Sequence, residues 1–221
     1  KRQIDTYAQW AKKLGINPSV AITCVKPSGT VSQLVDSASG IHARHSQYYI
    51  RTVRADKKDP LAKMMKDVGF PCEDDVTKPN HTSVYSFPVK GPKNGIYRKD
   101  MTAVEQLELW KVYQDNWCEH KPSVTISVKE DEWMNVGAWV YNNFDMMSGV
   151  SFLPFADHTY RQAPYQDCSK AEYEQLVASM PKGVEWEVKL AEYEHHDTTA
   201  GSQELACSGD TGCEIVDLVS V

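Results

Sequence analysis

Two stretches of this chain combine residue types and spacings that could do chemistry. The first is Lys26-Pro27-Ser28-Gly29-Thr30. It interrupts an apolar, β-branched run, Val20-Ala21-Ile22-Thr23-Cys24-Val25, and precedes apolar positions Val31, Leu34 and Val35 at helical spacing. That pattern predicts a buried strand, a turn of small residues and the start of a helix. The unpaired amides of a helix's first turn, with the positive end of its dipole, favour an anion at such a junction. Ser28 and Thr30 add hydroxyl donors, and Gly29 lets the backbone approach a ligand closely. Pro27, Ser28, Gly29 and Thr30 are therefore the candidate phosphate-binding residues. With no ligand, the same residues would simply cap a helix. Neither a Walker P-loop nor a GxGxxG dinucleotide fingerprint is present.

The second stretch lies near the end of the chain. After His195-His196, the residues Asp197-Thr198-Thr199-Ala200-Gly201-Ser202-Gln203 show no periodicity and little apolar content, as in a flexible linker. Cys207 and Cys213 follow, with Gly209 and Gly212 between them. Two thiols in a mobile tail are poorly placed for packing, and the glycines permit the tight loop a disulfide requires. So short a loop stabilises little, which favours a reversible redox pair over a structural staple. The plain alternative is two exposed thiols without a role. Fully extended, the linker would reach roughly 35 Å, enough to visit a distant pocket and return.

The other cysteines read as structural. Cys24, within its apolar strand, is expected to be a small buried hydrophobe. No CxxC pair exists, so no zinc site is expected from cysteines. His42 and His45 stand three apart but have no acidic third ligand close by, and no metal site is assigned.

Composition sets the frame for these sites. The chain has 221 residues, 41% hydrophobic and 24% charged, enough for one substantial core or two small ones. No apolar run approaches the roughly 18 residues that would span a membrane. No secretory signal is read at the start, so a cytoplasmic, reducing setting is expected. The sequence starts at Lys1 rather than Met and reads as a fragment of a longer protein. A net charge of −6 argues against a nucleic-acid-binding surface. Between Lys26 and Lys66, however, eight basic residues face three acidic ones, which suits a small anion beside the Pro27 turn.

Positioning these residues falls to a series of alternating elements. Helices are expected at Ile4–Leu14, after Thr30, from Asp59-Pro60 to Val68, from Thr102 to about Glu119, around Trp133–Phe144 and from Ser169. Thr102-x-x-Glu105 and Ser169-x-x-Glu172 are capping boxes. Strands are expected at Val20–Val25, Tyr48–Arg54, Ser83–Val89, Val124–Val128 and Gly149–Leu153. A weak apolar alternation runs from Val184 to Leu190, and the stretches Pro71–His81 and Asp157–Asp167 read as irregular. Regular alternation of helix and strand implies an α/β fold with many parallel neighbours, in which ligands gather at the carboxyl ends of strands.

A phosphate seat, an α/β body and a dithiol tail occur together in one family, which the sequence resembles over nearly its whole length. The resemblance is carried by Lys26-Pro27-Ser28-Gly29-Thr30-Val31-Ser32-Gln33-Leu34, Ser39-Gly40-Ile41-His42 with Tyr48-Tyr49-Ile50-Arg51, and Asn116-Trp117-Cys118-Glu119-His120 with Pro122-Ser123-Val124-Thr125. It continues in Gly149-Val150-Ser151-Phe152-Leu153-Pro154 and Ala163-Pro164-Tyr165. These segments resemble the catalytic chain of ribonucleotide reductases, specifically the adenosylcobalamin-dependent class II form. The glycyl-radical form would end in an Arg-Val-Cys-Gly-Tyr type motif, and the two-subunit form would carry a late tyrosine pair. Neither is present.

The resemblance implies the C-terminal half of a ten-stranded α/β barrel over residues 1–196 and a flexible redox-active tail over 197–221. It also implies that Pro27, Ser28, Gly29 and Thr30 hold the substrate's phosphates, and that Cys207 and Cys213 carry electrons to an active-site disulfide. Thioredoxin or a similar dithiol protein would recharge them, and adenosylcobalamin would be the cofactor. The radical cysteine and its Asn-Pro-Cys-Gly-Glu motif are absent, so the N-terminal half of the same catalytic chain is an expected partner and this chain alone is expected to be inactive. Two other classes fit parts of the sequence: a non-catalytic phosphate-binding α/β domain, and a thiol–disulfide exchange protein acting through Cys207 and Cys213.

Overall fold

Both capping boxes close as their sequences require. Thr102 Oγ1 accepts the Glu105 amide while Glu105 Oε2 accepts the Thr102 amide at 2.7 Å, and Ser169 and Glu172 repeat the exchange. Asp59 caps the helix that Pro60 begins, accepting the Leu61 amide at 2.8 Å. The computed structural model describes residues 2–28, 31–155 and 161–195. Along the chain the elements are α1 (Arg2–Leu14), α2 (Val31–Leu34), β1 (Tyr48–Asp56), α3 (Pro60–Asp67), β2 (Cys72–Asp74), β3 (Thr82–Lys90), α4 (Ala103–Asn116), β4 (Thr125–Val128), α5 (Trp133–Asn143), β5 (Ser151–Pro154), β6 (Tyr165–Asp167), α6 (Lys170–Ser179) and α7 (Trp186–Ala191).

These elements form two units, one from the described residues of Lys1–Gln47 and Gly91–Asp157, the other from those of Tyr48–Lys90 and His158–Val221. In the first unit, β4 and β5 pair in parallel, Ile126 opposite Phe152, joined through α5. A parallel pair needs a crossover of this kind. Its core is Leu107 and Trp110 of α4, Ile126 and Val128 of β4, and Val136 and Trp139 of α5. Trp110 is fully buried and donates its indole N–H to Pro122 O at 3.0 Å, which satisfies the one polar atom it brings inside.

The second unit is a four-stranded sheet in the order β2-β3-β1-β6, and each of its pairings is antiparallel. Its long pair runs from Tyr48 opposite Lys90 to Asp56 opposite Thr82. Tyr49, Met64, Val84 and Tyr85 are buried in this unit. Beside the sheet, buried Asp75 accepts from Arg54 Nε, the Thr77 hydroxyl and the Thr77 and Lys78 amides. The Thr77 hydroxyl, those amides and Arg54 hold its carboxyl well below the usual range, although burial opposes them. Gln162, with φ +60, bonds Asp74 O and the Val76 amide through its side chain.

Several expectations from the sequence need correction. Many parallel neighbours were expected, yet among the described strands only β4 and β5 pair that way. Helix–strand alternation alone does not fix strand direction. Val20–Val25 forms no strand and joins neither sheet, its backbone bonding instead to residues 119–123. Val25 packs against the first unit's core while Cys24 faces solvent, so Cys24 is exposed rather than buried. Residues 184–190, read as alternating, carry α7. The strands β2 and β6 are each three residues long, too short for a period to show. Among the described residues no helix is long and apolar enough to cross a membrane.

Candidate functional site

The backbone that leads into the Pro27 turn is held from one side by residues 117–123. The Glu119 carboxylate accepts the Ile22 and Thr23 amides at 2.7 and 3.3 Å. Thr23 Oγ1 donates to Trp117 O at 2.6 Å and accepts the Glu119 amide at 3.3 Å. Further along, His120 N–H donates to Thr23 O and Ser123 N–H to Val25 O, each at 3.1 Å. Lys26 Nζ donates to Lys121 O and, at 2.9 Å, to Ser123 Oγ. Two of the Lys26 ammonium's donors therefore anchor the segment.

From the other side the turn is held by the residues around α2. Ser28 Oγ accepts the Ser32 amide at 3.1 Å, so the helix-cap reading of Ser28 is realised. Having accepted one bond, the hydroxyl still has its proton to donate. Ser28 O receives the Ser39 hydroxyl at 2.8 Å and the Ser32 hydroxyl at 3.4 Å. Gly40 sits close behind, at φ +61. A Cβ there would lie 3.1 Å from Lys26 O and 3.4 Å from Pro27 Cα. Pro27 is exposed and Ser28 is half-buried. With only four residues, α2 contributes little dipole, so an anion here would rest on hydroxyl and amide donors. Gly29 and Thr30 lie outside the described residues, as do both tail cysteines, Cys207 and Cys213.

His42 does not act as a free metal ligand, because both ring nitrogens are engaged. Nε2 faces the Thr125 amide at 3.0 Å and Nδ1 faces Ser39 O at 2.8 Å. An amide can only donate and a carbonyl can only accept, so the ring is neutral with its proton on Nδ1. Cys24, Cys72, Cys118 and Cys168 are free thiols. Burial pushes the thiols of Cys118 and Cys168 up from their ordinary range, which makes them poor nucleophiles. Sequence reasoning gave neither Thr23 nor Glu119 a role, although Glu119 stands in the Asn116–His120 motif. Their partners lie more than ninety residues away, and no local signal marks such a pairing.

Each unit also carries a cavity. In the first, a groove of about 620 Å³ runs between α1 and Ile22, lined by Tyr7 and Trp10. In the second, a cavity of about 210 Å³ lies beside α3, lined by Lys57, Lys63, Lys66 and Tyr85.

No family model matches the chain. It is similar to the adenosylcobalamin-dependent ribonucleoside-triphosphate reductase of Lactobacillus gasseri, 30% identical over 186 residues covering 82% of this chain and 25% of that protein. The reductase of the same name from Euglena gracilis is 29% identical over 91% of this chain and 28% of its own length. A probable enzyme of this kind from Dictyostelium discoideum is 31% identical over 80% of this chain and 23% of its own length. Among solved structures, a B12-dependent class II ribonucleotide reductase superposes with a TM-score of 0.71 at 27% identity, covering 86% of this chain and 27% of that one. The chain thus spans about a quarter of the length of the curated relatives it matches.

Proposed function

We propose that this chain is one part of an adenosylcobalamin-dependent, class II ribonucleotide reductase, the part that holds the substrate's phosphates and carries the reducing dithiol. In this reading Pro27, Ser28, Gly29 and Thr30 receive the phosphates of a ribonucleoside triphosphate, the substrate type named for the relatives. Cys207 and Cys213 shuttle electrons from thioredoxin or a similar dithiol protein. The observation that carries the reading is the doubly anchored Pro27 turn. Its flanking backbone is tied to Glu119 on one side and to Ser39 on the other, and Ser28 keeps a hydroxyl proton to give. A seat fixed before the ligand arrives loses little entropy on binding.

The chain forms the C-terminal half of a ten-stranded α/β barrel, and the β4–α5–β5 crossover suits such a wall. In α1, Tyr7, Trp10 and Leu14 are exposed, as are Val31 and Leu34 of α2. The remaining half of the catalytic chain covers these side chains. Adenosylcobalamin generates the radical when bound to the whole protein. The thiyl-forming cysteine would belong to the remainder, and no residue of this chain is assigned to the cofactor. The setting is cytoplasmic.

Two measurements test the reading. Incubated alone with adenosylcobalamin, a ribonucleoside triphosphate and a dithiol, the chain yields no deoxyribonucleotide. In the longer protein, replacing Cys207 and Cys213 by Ser leaves a single turnover and abolishes multiple turnover driven by a dithiol protein. Undiminished multiple turnover in that variant overturns the tail assignment.

A further inference from the structure

We propose that Asn94 is a site of spontaneous deamidation, to aspartate and isoaspartate, and that the Tyr97 hydroxyl sets its rate. Asn94-Gly95 is the one Asn-Gly pair in the sequence. A glycine after asparagine leaves the approach to the side-chain amide carbon unhindered. Asn94 is exposed and lies within a four-residue turn, Pro92-Lys93-Asn94-Gly95, closed by the Gly95 N–H donating to Pro92 O at 3.1 Å. Buried Tyr97 donates its hydroxyl to the same carbonyl. The backbone around Tyr97 is itself paired: the Arg44 N–H donates to Ile96 O at 3.2 Å and the Arg98 N–H to Arg44 O at 2.8 Å. The turn is an exposed tip on a fixed base.

The chemistry needs only water. The Gly95 nitrogen gives its proton to solvent and bonds to Asn94 Cγ, while the Cγ–Nδ2 bond breaks and Nδ2 leaves as ammonia. Water then opens the resulting five-membered imide at either carbonyl. One opening yields aspartate; the other yields isoaspartate, with the main chain routed through the side-chain carbon. Asparagine and water become aspartate or isoaspartate and ammonia, with nothing oxidised or reduced. In the closed turn Pro92 O holds the Gly95 proton and keeps the nitrogen from swinging toward Cγ. Ring closure therefore starts from the opened turn. By fixing Pro92 O, the Tyr97 hydroxyl keeps the opened fraction small. Isoaspartate adds a methylene to the main chain, and the closed turn has little room for it. A Cβ on Gly95 would already lie 3.0 Å from Pro92 Cγ and 3.3 Å from the Tyr97 hydroxyl.

Peptide mass mapping, with enzymatic methylation of isoaspartate as a second readout, follows conversion at Asn94 during incubation of the 221-residue chain at mildly alkaline pH. The folded wild type is compared with Tyr97→Phe and with a free peptide spanning Lys90 to Arg98. The folded chain should convert more slowly than the peptide. Tyr97→Phe should convert about fivefold faster than the folded wild type, the effect of losing one hydrogen bond. Amide hydrogen exchange at Gly95 should quicken by a similar factor in that variant, while exchange at buried Leu107 stays unchanged. Asn94→Gln, whose ring would be six-membered, should yield no product and so fixes the assignment. If the wild type converts as fast as the peptide, if Tyr97→Phe is no faster than the wild type, or if Leu107 exchange quickens equally, the Tyr97 gate is overturned. If Asn94 stays intact in both folded chains once the peptide has been consumed, the site itself is overturned.

Discussion

Glu119 Oε2 lies 2.7 Å from the amide nitrogen of Ile22, a residue 97 positions earlier, and 3.3 Å from that of Thr23. One carboxylate thus gathers two amides of a segment that belongs to neither sheet. Glu119→Ala should destabilise the chain by roughly 1 kcal/mol, a modest figure because the carboxylate is exposed to solvent. It should also speed amide hydrogen exchange at Ile22 and Thr23. Unchanged exchange at both would show that the carboxylate does not hold them.

Asp75 makes the second unit sensitive to acid. Its carboxyl is depressed by the Thr77 hydroxyl, the Thr77 and Lys78 amides and Arg54. In the unfolded chain it titrates near the ordinary value of about 3.9. The stabilisation is therefore present in full above that value and is lost as pH falls toward the depressed folded value. Urea midpoints should fall between pH 5 and pH 3 in the wild type, and less steeply in Asp75→Asn. That variant should already be weaker at pH 7 by about 2–4 kcal/mol, since Arg54 and two amides lose a charged acceptor.

Thiol reactivity should divide the cysteines by burial. Cys24 is exposed, whereas Cys118 is buried and its thiol is pushed up by that burial. Iodoacetamide near pH 8 should alkylate Cys24 well before Cys118, followed by peptide mass spectrometry, and denaturant should erase the difference. Equal rates in the folded chain would contradict this placement.

A Cβ at Gly40 would crowd Lys26 O at 3.1 Å, and the residue occupies the left-handed region at φ +61. Gly40→Ala should cost roughly 1–2 kcal/mol from backbone strain and from the push on Lys26 O. It should also weaken ATP binding to the chain. A melting temperature equal to that of the wild type would refute the close approach.

Much of the local structure was legible in the sequence because its causes are local. The two capping boxes, the Asp59-Pro60 start of α3 and the alternation of Tyr48–Arg54 each need only residues within one turn or one strand. The likeness to one reductase family was visible in short local motifs for the same reason. Strand direction was not visible, because β1 and β3 become antiparallel neighbours through pairing between distant segments. Nor was the exposure of Cys24, which depends on which face of its segment meets the core.

The sequence by itself determined the chemistry on offer: hydroxyls and a glycine at a turn, two thiols at the far end, and helix caps that set where the elements begin. Tertiary structure alone decided what holds that turn. Glu119 grips the backbone leading into it from 97 residues away, and Ser39 bonds the Ser28 carbonyl. Hydrogen bonds across such distances form only when packing has already closed the intervening loops, and no spacing along the chain records them.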